Sequence, residues 1–484
     1  MDIESTTQAK ECGVCGRWLG YVKALPEKSK SKIMNFTSNI KKTALADPRR
    51  VIHSFKVGIA LTIVSLLYYI RPLYDGFGDA GMWAVLTVVV VFEFTVGATL
   101  SKGMNRGFAT LLAGALGVGG QHLATSLGET GKPVVLGTLV FILAAGSTFS
   151  RFFPRIKAKY DYGVLIFILT FSMVAVSGQR VENIFELAYQ RLLTILVGGA
   201  TCMVISLLVC PVWAGEDLHN LIASNLEKLA KFLQGFECVY FECSENKENP
   251  DNSILQGYKS VLNSKASEES LANFAWWEPG HGRFRLRHPW KHYVKIGALA
   301  RECAYKIETL NRYLNPEIQV SLEFKGKVQE PCTKLSSEAS KALKALSLSI
   351  KTMTDPCDAK SHIENSKTAI KGLEIALETA SLDDDQELIA IVPVATVASI
   401  LVEITKCVEK IHDSASELSY LAHFRSVNPN APVSPDKPHL LHRGIIKPVG
   451  ESDGAGQLEI TIEVPNTDSL EIKAQHQTNS ATCK

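Results

Sequence analysis

Six long apolar stretches follow one another in the first half of the chain, and they constrain its fold more than any other feature. They cover residues 51–70, 82–100, 107–125, 133–149, 162–177 and 192–213. Each approaches the roughly 20 residues that a helix needs to cross the hydrocarbon core of a bilayer. Lipid offers the backbone no hydrogen-bond partners, and the stretches lack the alternating polarity of barrel strands. We therefore predict six transmembrane helices over residues 51–213.

The basic residues of the short loops predict the orientation of these helices. Cytosolic loops collect Lys and Arg, and the basic residues cluster before the first stretch, between the second and third, and between the fourth and fifth. These residues are Lys41, Lys42, Arg49, Arg50, Lys102, Arg106, Arg151, Arg155, Lys157 and Lys159. Residues 1–50 show no cleavable signal and form a cytosolic N-terminal segment in this scheme. Both termini are therefore expected in the cytosol.

The second half of the chain predicts a separate helical domain. Apolar residues recur at helical spacing over much of residues 214–425, which is typical of a cytosolic helical bundle. Residues 388–404 are apolar enough to suggest a seventh span, but Pro393 and the closely flanking Glu387 and Glu403 favour a buried bundle helix. Residues 426–484 have the composition of a disordered tail. The fold class is therefore all-α, with a six-helix transmembrane domain followed by a helical cytosolic bundle.

Composition and motifs exclude several functions. The net charge of +2 gives no support to nucleic acid binding, and the eleven cysteines show no regular metal or disulfide spacing. A P-loop and a His-Glu-x-x-His zinc motif are both missing from the sequence. Gly76–Gly81 and Gly450–Gly454 fit short enzyme patterns, but neither lies in the strand and helix context that those patterns require. We expect neither an enzyme nor a resident cofactor.

Ionisable residues next to the apolar stretches are the candidates for function. Arg106 lies at the start of the third stretch and Arg191 at the start of the sixth. A planar guanidinium group binds carboxylates through two parallel hydrogen bonds, which suits an organic dianion. Arg106 is equally expected as a simple topology signal, whereas Arg191 lies on the outer side, where the topology rule does not require it.

Glu93 lies inside the second apolar stretch. An unpaired carboxylate there would be expensive, so Glu93 should be protonated, paired or exposed to water. A structural ion pair is one interpretation of this residue, and a role in gating is the other.

Several longer motifs occur together and in order. They are Asp47-Pro-Arg-Arg, the run from Trp83 to Leu100, Asn105-Arg-Gly, Phe152-Phe-Pro, Tyr160-Asp-Tyr-Gly, Pro211-Val-Trp-Ala-Gly and Trp277-Glu-Pro-Gly-His-Gly. In these motifs the chain resembles the plant aluminium-activated malate transporter family over about residues 47–424.

This resemblance implies a gated anion channel that passes malate and other anions. It also implies a homodimer in membrane lipid whose two subunits share one pore, with Arg106 and Arg191 as the pore arginines. A secondary exporter of organic acids is the first alternative, and a membrane scaffold that binds partners through its cytosolic bundle is another. The plasma membrane is favoured over the vacuolar membrane, although members of the family occur in both.

The resemblance further implies a site for external aluminium. Trivalent aluminium is a hard cation and would need oxygen ligands. The nearest matches to the acidic residues of aluminium-responsive relatives are Asp75, Glu182 and Glu186, which we predict on the outer face. Solvated loop charge is the alternative interpretation of these carboxylates.

An aromatic and basic segment, residues 276–290, interrupts the helical pattern of the second half. Its Trp, Pro and Gly residues favour a structural corner of the domain. Its basic residues, Arg283, Arg285, Arg287 and His288, are alternatively suited to anionic lipid headgroups or a cytosolic anion.

Overall fold

Helices form all of the regular secondary structure in the part of the chain that the computed structural model describes. That part comprises residues 27–69, 81–128, 131–177, 184–240, 256–314, 322–382 and 388–426. Within these ranges the backbone makes only two isolated β-bridges and no strand. The predicted all-α fold class is confirmed. The predicted tail lies almost entirely outside the described residues.

The helices of the first half follow the apolar stretches of the sequence. They are α1 (Glu27–Ala46), α2 (Pro48–Tyr69), α3 (Met82–Val91), α4 (Val96–Ser126), α5 (Lys132–Ser150), α6 (Pro154–Ser177) and α7 (Ile184–Leu208). By length and composition, α5, α6 and residues Ala188–Leu208 of α7 can each cross a membrane. The shorter α3 is also apolar, whereas α2 and α4 include basic residues near their N-terminal ends.

The second half consists of further helices with one irregular corner between two of them. The helices are α8 (Ala214–Tyr240), α9 (Tyr258–Leu262), α10 (Lys265–Ala275), α11 (Trp290–Arg312), α12 (Leu322–Thr352), α13 (Cys357–Leu382) and α14 (Leu388–Ala422). Residues 276–289 form the corner between α10 and α11.

The structure differs from the sequence prediction at the end of the second apolar stretch. A single span over residues 82–100 is wrong, because α3 ends at Val91 and α4 begins after Thr95. The Thr95 side chain accepts a hydrogen bond from the Ala98 amide and so caps the new helix. Val91 packs beside Gly103 of α4, so the chain reverses direction within residues 92–95. The predicted loop around Lys102 and Arg106 is therefore part of α4.

Two apolar clusters hold the helices of the first half together. One joins α2, α3 and α7 through Ala60, Val64, Val88, Cys202 and Ile205. The other joins α4, α5 and α6 through Ala113, Ala124, Leu136, Phe171 and Ala175. Large apolar side chains such as Phe141 and Val134 are exposed on the outer surface of this bundle, as lipid-facing residues would be.

Glycine permits the closest helix contacts in this region. A Cβ on Gly198 would come within 2.7 Å of the Ala84 carbonyl oxygen, and one on Gly117 would collide with Val174. Small residues allow helix backbones to approach in a membrane, where van der Waals packing replaces the hydrophobic effect. Neighbouring helices therefore pack closely at Gly117 in the third stretch and at Gly198 in the sixth, whereas Gly199 has open space around it.

The helices of the second half bury one large core. Leu218, Ile222 and Leu226 of α8 are completely buried in it, together with one face of each neighbouring long helix. Residues Ile391–Ala422 of α14 are long and apolar enough to cross a membrane, but Val397, Leu401 and Ile404 are buried in this core. Pro393 is the sixth residue of α14, past its first turn, so its missing N–H leaves one intrahelical hydrogen bond unmade.

One buried ion pair lies inside this core. Glu268 is completely buried, and its carboxylate pairs with the Arg301 guanidinium group. Glu268 Oε1 also accepts hydrogen bonds from Ser264 Oγ at 2.7 Å and Asn225 Nδ2 at 3.3 Å. Buried charges are retained when paired and hydrogen-bonded in this way, so Glu268 links α8, α10 and α11.

Two histidines share one buried tyrosine hydroxyl beside the corner. His219 Nδ1 and His288 Nε2 lie 3.1 and 3.2 Å from Tyr293 Oη. Burial lowers the pKa of His219 and of His288 to about 4 in each case. The two imidazoles are therefore neutral in the folded protein at neutral pH.

These histidines predict an acid-sensitive stability. In the unfolded chain each imidazole gains its proton near pH 6.5, whereas in the folded chain it does so only near pH 4. Unfolding therefore takes up protons between these values, and the free energy of unfolding falls as pH drops from 6.5 toward 4, by about 1–3 kcal/mol per histidine. Unfolding of the purified chain measured by tryptophan fluorescence across this range should show the slope. The variant His219→Gln with His288→Gln should flatten it, and His412→Gln, in which a half-buried surface ring is replaced, should not. An unchanged slope in the double variant would contradict this assignment.

Candidate anion-binding site

Arg106 is buried within the helices of the first half. It is the eleventh residue of α4, and only 3% of its surface is exposed. Its Nη1 donates a hydrogen bond of 3.0 Å to Tyr162 Oη on α6. Its Nε is buried and has no hydrogen-bond partner among the residues that the structure describes. The guanidinium group therefore retains capacity to bind a further acceptor.

Arg191 is also buried, and it lies nearer the opposite end of the bundle. It lies in the second turn of α7, with 4% of its surface exposed. The guanidinium carbon lies 4.0 Å from the centre of the Trp83 ring, and Nη1 contacts Met173 Sδ. Such a cation–π contact stabilises a positive charge without neutralising it. The Nε of Arg191 also has no hydrogen-bond partner in the described part of the chain.

The two guanidinium groups create one positively charged region. They are close enough for the charge of Arg106 to act on Arg191. Within the described residues, neither group has an ion pair. Desolvated cations without a counterion are costly, so a site of this kind favours an anion that can accept hydrogen bonds from both.

Glu93 lies at the turn between α3 and α4 and not inside a span. Its carboxylate pairs with Lys102, the seventh residue of α4, and the side chains of both residues are about one-third exposed. Thr99 fixes the turn, because its hydroxyl accepts a hydrogen bond from the Glu93 amide at 3.0 Å. The Lys102 ammonium group lies 5.7 Å from the centre of the Tyr162 ring. Tyr162 thus contacts both the Glu93–Lys102 pair and Arg106.

Lys56 is a buried cation that the sequence analysis did not single out. It lies on α2 with 2% of its surface exposed, and Nζ donates a hydrogen bond of 2.8 Å to the Cys210 carbonyl oxygen. Cys210 has a φ of 41°, a left-handed conformation that turns the chain between α7 and α8. The sequence feature that could have identified Lys56 was its position inside the first apolar stretch. Its partner, a backbone carbonyl, could not be recognised from the sequence.

The structure describes only one of the predicted aluminium ligands. Asp75 and Glu182 lie outside the described residues. Glu186 lies in the first turn of α7, is exposed, and accepts a hydrogen bond of 3.3 Å from Gln190. No cluster of three or more potential metal-ligating residues occurs within the described ranges. The aluminium site therefore stays a prediction.

Glu278 connects the two halves of the chain and was not singled out by the sequence analysis. Its Oε1 accepts hydrogen bonds from the amides of Gly97 at 3.2 Å and Ala214 at 2.6 Å, and its Oε2 from that of Gly215 at 3.0 Å. These amides belong to the first turns of α4 and α8, where backbone N–H groups lack intrahelical partners. Burial raises the pKa of Glu278 to about 7, against the effect of the three N–H donors. One carboxylate therefore caps a helix of each half.

Aromatic contacts reinforce the same junction. The Trp213 and His281 rings stack with centroids 3.8 Å apart, and Lys159 Nζ lies 4.2 Å from the centre of the Trp276 ring. Tyr160 meets Trp277 edge to face. The corner thus fixes the end of the first half of the chain against the helices of the second half.

These observations define a class of protein. The features of a membrane protein that handles anions are apolar helices long enough to cross a membrane, an attached helical domain, and two buried arginines that no described carboxylate neutralises.

Comparison with known sequences identifies the family. The profile described as "Aluminium activated malate transporter" matches residues 41–383. The chain is 50% identical over 399 residues to aluminum-activated malate transporter 2 of Arabidopsis thaliana, covering 82% of this chain and 79% of the relative. It is 45% identical over 410 residues to aluminum-activated malate transporter 1 of Triticum aestivum, covering 81% and 86%. The chain belongs to the aluminium-activated malate transporter family.

The hydrogen bonds at Glu278 predict that replacing this residue destabilises the chain and exposes three backbone amides to hydrogen exchange. Glu278→Gln keeps the size of the side chain but removes its charge and one acceptor oxygen, so the three amides lose charge-assisted bonds. We expect the free energy of unfolding to fall by about 2–3 kcal/mol, the value typical of hydrogen bonds to a buried charge. Hydrogen–deuterium exchange at Gly97, Ala214 and Gly215 should accelerate. The exposed Glu269→Gln is the matched control on α10, and unchanged exchange in the Glu278 variant would refute the capping role.

Proposed function

We propose that the chain forms a gated anion channel that passes malate and other anions across a membrane. The observation that carries this proposal is the pair of buried guanidinium groups, Arg106 and Arg191, which lack counterions within the described residues. Membership of the family and the names of its relatives support malate as an anion that moves through the protein. Arginine suits this task, because its fork of donors matches a carboxylate and its charge persists at every physiological pH.

We further propose six transmembrane helices over residues 51–213 and a cytosolic helical domain over residues 214–425, with both termini in the cytosol. A homodimer would double the arginines around one pore. Exposed apolar side chains on α5, such as Val134, Phe141 and Ile142, are available for membrane lipid or for a second subunit. The plasma membrane is the favoured location.

Gating is proposed to involve Glu93 and Lys102. Their ion pair lies at the turn between α3 and α4 and contacts Tyr162, which in turn bonds to Arg106. A change in this pair would therefore reach a pore arginine through one intervening side chain.

The pore assignment predicts the effect of removing each arginine. Arg106→Gln or Arg191→Gln should reduce malate current by about tenfold or more, because a desolvated ion loses a charged hydrogen-bond donor. Voltage-clamp recording in oocytes loaded with malate measures this current. Arg155→Gln, which removes an exposed arginine in the first turn of α6, should leave it nearly unchanged. Full current in both pore variants, at equal surface expression, would disprove the pore assignment.

The same recordings separate the channel from its alternative. A channel current continues to rise with driving force, whereas the current of a secondary exporter saturates with substrate and is much smaller per molecule. Saturating flux without channel-like conductance would favour the exporter.

Activation by external aluminium is proposed through Asp75, Glu182 and Glu186. The triple variant Asp75→Asn, Glu182→Gln, Glu186→Gln should lose the increase in current that aluminium causes and keep the basal current. Carboxylate oxygens are the ligands that hard cations prefer, so the amide replacements should strongly weaken the binding of aluminium. Glu129→Gln, in another predicted outer loop, is the control. An aluminium response that persists in the triple variant would place the metal elsewhere, and an indifferent wild-type protein would remove the metal site while keeping the channel.

A further inference from the structure

A hollow in the helical domain carries positive charge that the proposed pore does not use. It has a volume of about 370 Å³ and lies between the corner, the end of α12 and the end of α14. Its polar lining comes from Arg283, Arg285, Thr352, His423 and Arg425. We name this hollow the basic pocket.

The charges of the basic pocket are unbalanced. Its lining includes three arginines and a histidine but no carboxylate. None of these arginines forms an ion pair with another described residue, and Arg283 donates only a long hydrogen bond of 3.5 Å to the Lys351 carbonyl oxygen. Asp355 lies two residues beyond Met353, but it joins this region through its backbone amide and is not part of the lining. Like charges gathered without counterions favour a bound anion.

The backbone around the basic pocket is held in place by hydrogen bonds. His281 and Phe284 exchange two backbone hydrogen bonds of 2.9 Å, which close the turn that carries Arg283. Arg425 donates its amide to the Met353 carbonyl at 3.0 Å and accepts from the Asp355 amide at 3.0 Å. Arginines from distant parts of the sequence are thereby fixed around one space.

Left-handed residues form the turns around the basic pocket. Gly282, Met353 and His423 line it with φ values of 52°, 57° and 53°. Met353 and His423 directly follow α12 and α14, and the amide after each of them bonds back to a carbonyl oxygen in the last turns of its helix, which is the pattern of a helix C-cap. The ends of both helices therefore present their part of the lining in a defined conformation.

The basic pocket lies on the side of the helical domain that meets the transmembrane half. His281, at the start of its turn, stacks on Trp213 at the end of the last predicted span. Leu286 follows Arg285 directly, and 69% of its surface is exposed. A protruding apolar residue beside arginines is an arrangement suited to the surface of a bilayer.

We propose that the basic pocket binds an organic phosphate that carries two or more phosphate groups. Three guanidinium groups exceed the two charges of a dicarboxylate such as malate, and each can hold a phosphate through paired hydrogen bonds. The ligand is either the headgroup of a phosphorylated lipid or a soluble phosphate ester, since both present the same groups. This site is separate from the proposed pore and does not depend on transport.

The test is a binding measurement on the purified full-length chain. One arm titrates soluble inositol trisphosphate by calorimetry, and the other measures association with phosphatidylcholine vesicles with and without phosphatidylinositol bisphosphate. Arg283→Gln with Arg425→Gln should weaken binding by about tenfold or more, because two charged contacts to phosphate are lost. Binding of the trisphosphate without association with the bisphosphate vesicles identifies a soluble ligand, and association with those vesicles identifies a lipid headgroup.

A charge-matched control separates the basic pocket from general attraction. Arg312→Gln with Lys371→Gln removes the same charge from exposed positions outside the lining and should bind like the wild type. Thermal unfolding checks that the variants fold, and Arg285→Gln replaces the double variant if it does not. The proposal is overturned if neither probe binds the wild type, if the double variant binds equally well, or if malate displaces the trisphosphate at equal concentration. Because no current is recorded, these outcomes are independent of whether the chain conducts.

Discussion

The Glu278 carboxylate is the contact on which the arrangement of the two halves depends. It accepts hydrogen bonds from amides at the starts of α4 and α8. More than 80 residues of sequence separate the end of α4 from the start of α8. The space around it accepts no larger residues, since a Cβ on Gly97 would collide with the Phe274 carbonyl and one on Gly215 with the Trp290 ring. Because α4 also carries Arg106, the position of a candidate pore residue is tied to the helical domain.

The way in which the other buried cations are satisfied makes the two arginines unusual. Lys56 donates to a carbonyl oxygen and Arg301 pairs with Glu268, and the partly exposed Lys102 pairs with Glu93. The fold thus supplies a partner to the positive charge in each of these places. Arg106 and Arg191 receive a hydroxyl, a sulfur atom and an aromatic face, none of which carries a full negative charge. A mobile anion is the partner that this pattern leaves room for.

The sequence was sufficient for the helices and insufficient for the contacts between distant backbone groups. Long apolar and periodic runs predicted the all-α fold, and charge beside an apolar stretch was enough to select Arg106 and Arg191, whose roles stay predictions. The turn at residues 92–95 was missed because apolar residues continue through it, and only the Thr95 cap marks the new helix. Lys56 and Glu278 were missed because their partners are backbone groups 154 and up to 181 residues away. Hydropathy and local motifs contain no information about such partners.

The length of α4 bears on where Arg106 would lie if, as proposed, this helix crosses the membrane. The helix has 31 residues and spans roughly 46 Å at 1.5 Å per residue, more than the hydrocarbon thickness of about 30 Å. Its apolar run, residues 107–125, matches that thickness by itself, so the excess lies at the end held by Glu278. In the six-span arrangement proposed above, Arg106 would mark the boundary between water and hydrocarbon, where little of the transmembrane voltage has yet fallen. Arg191, on a helix that enters from the opposite side, would lie at greater electrical depth, so voltage would affect an anion there more strongly than at Arg106.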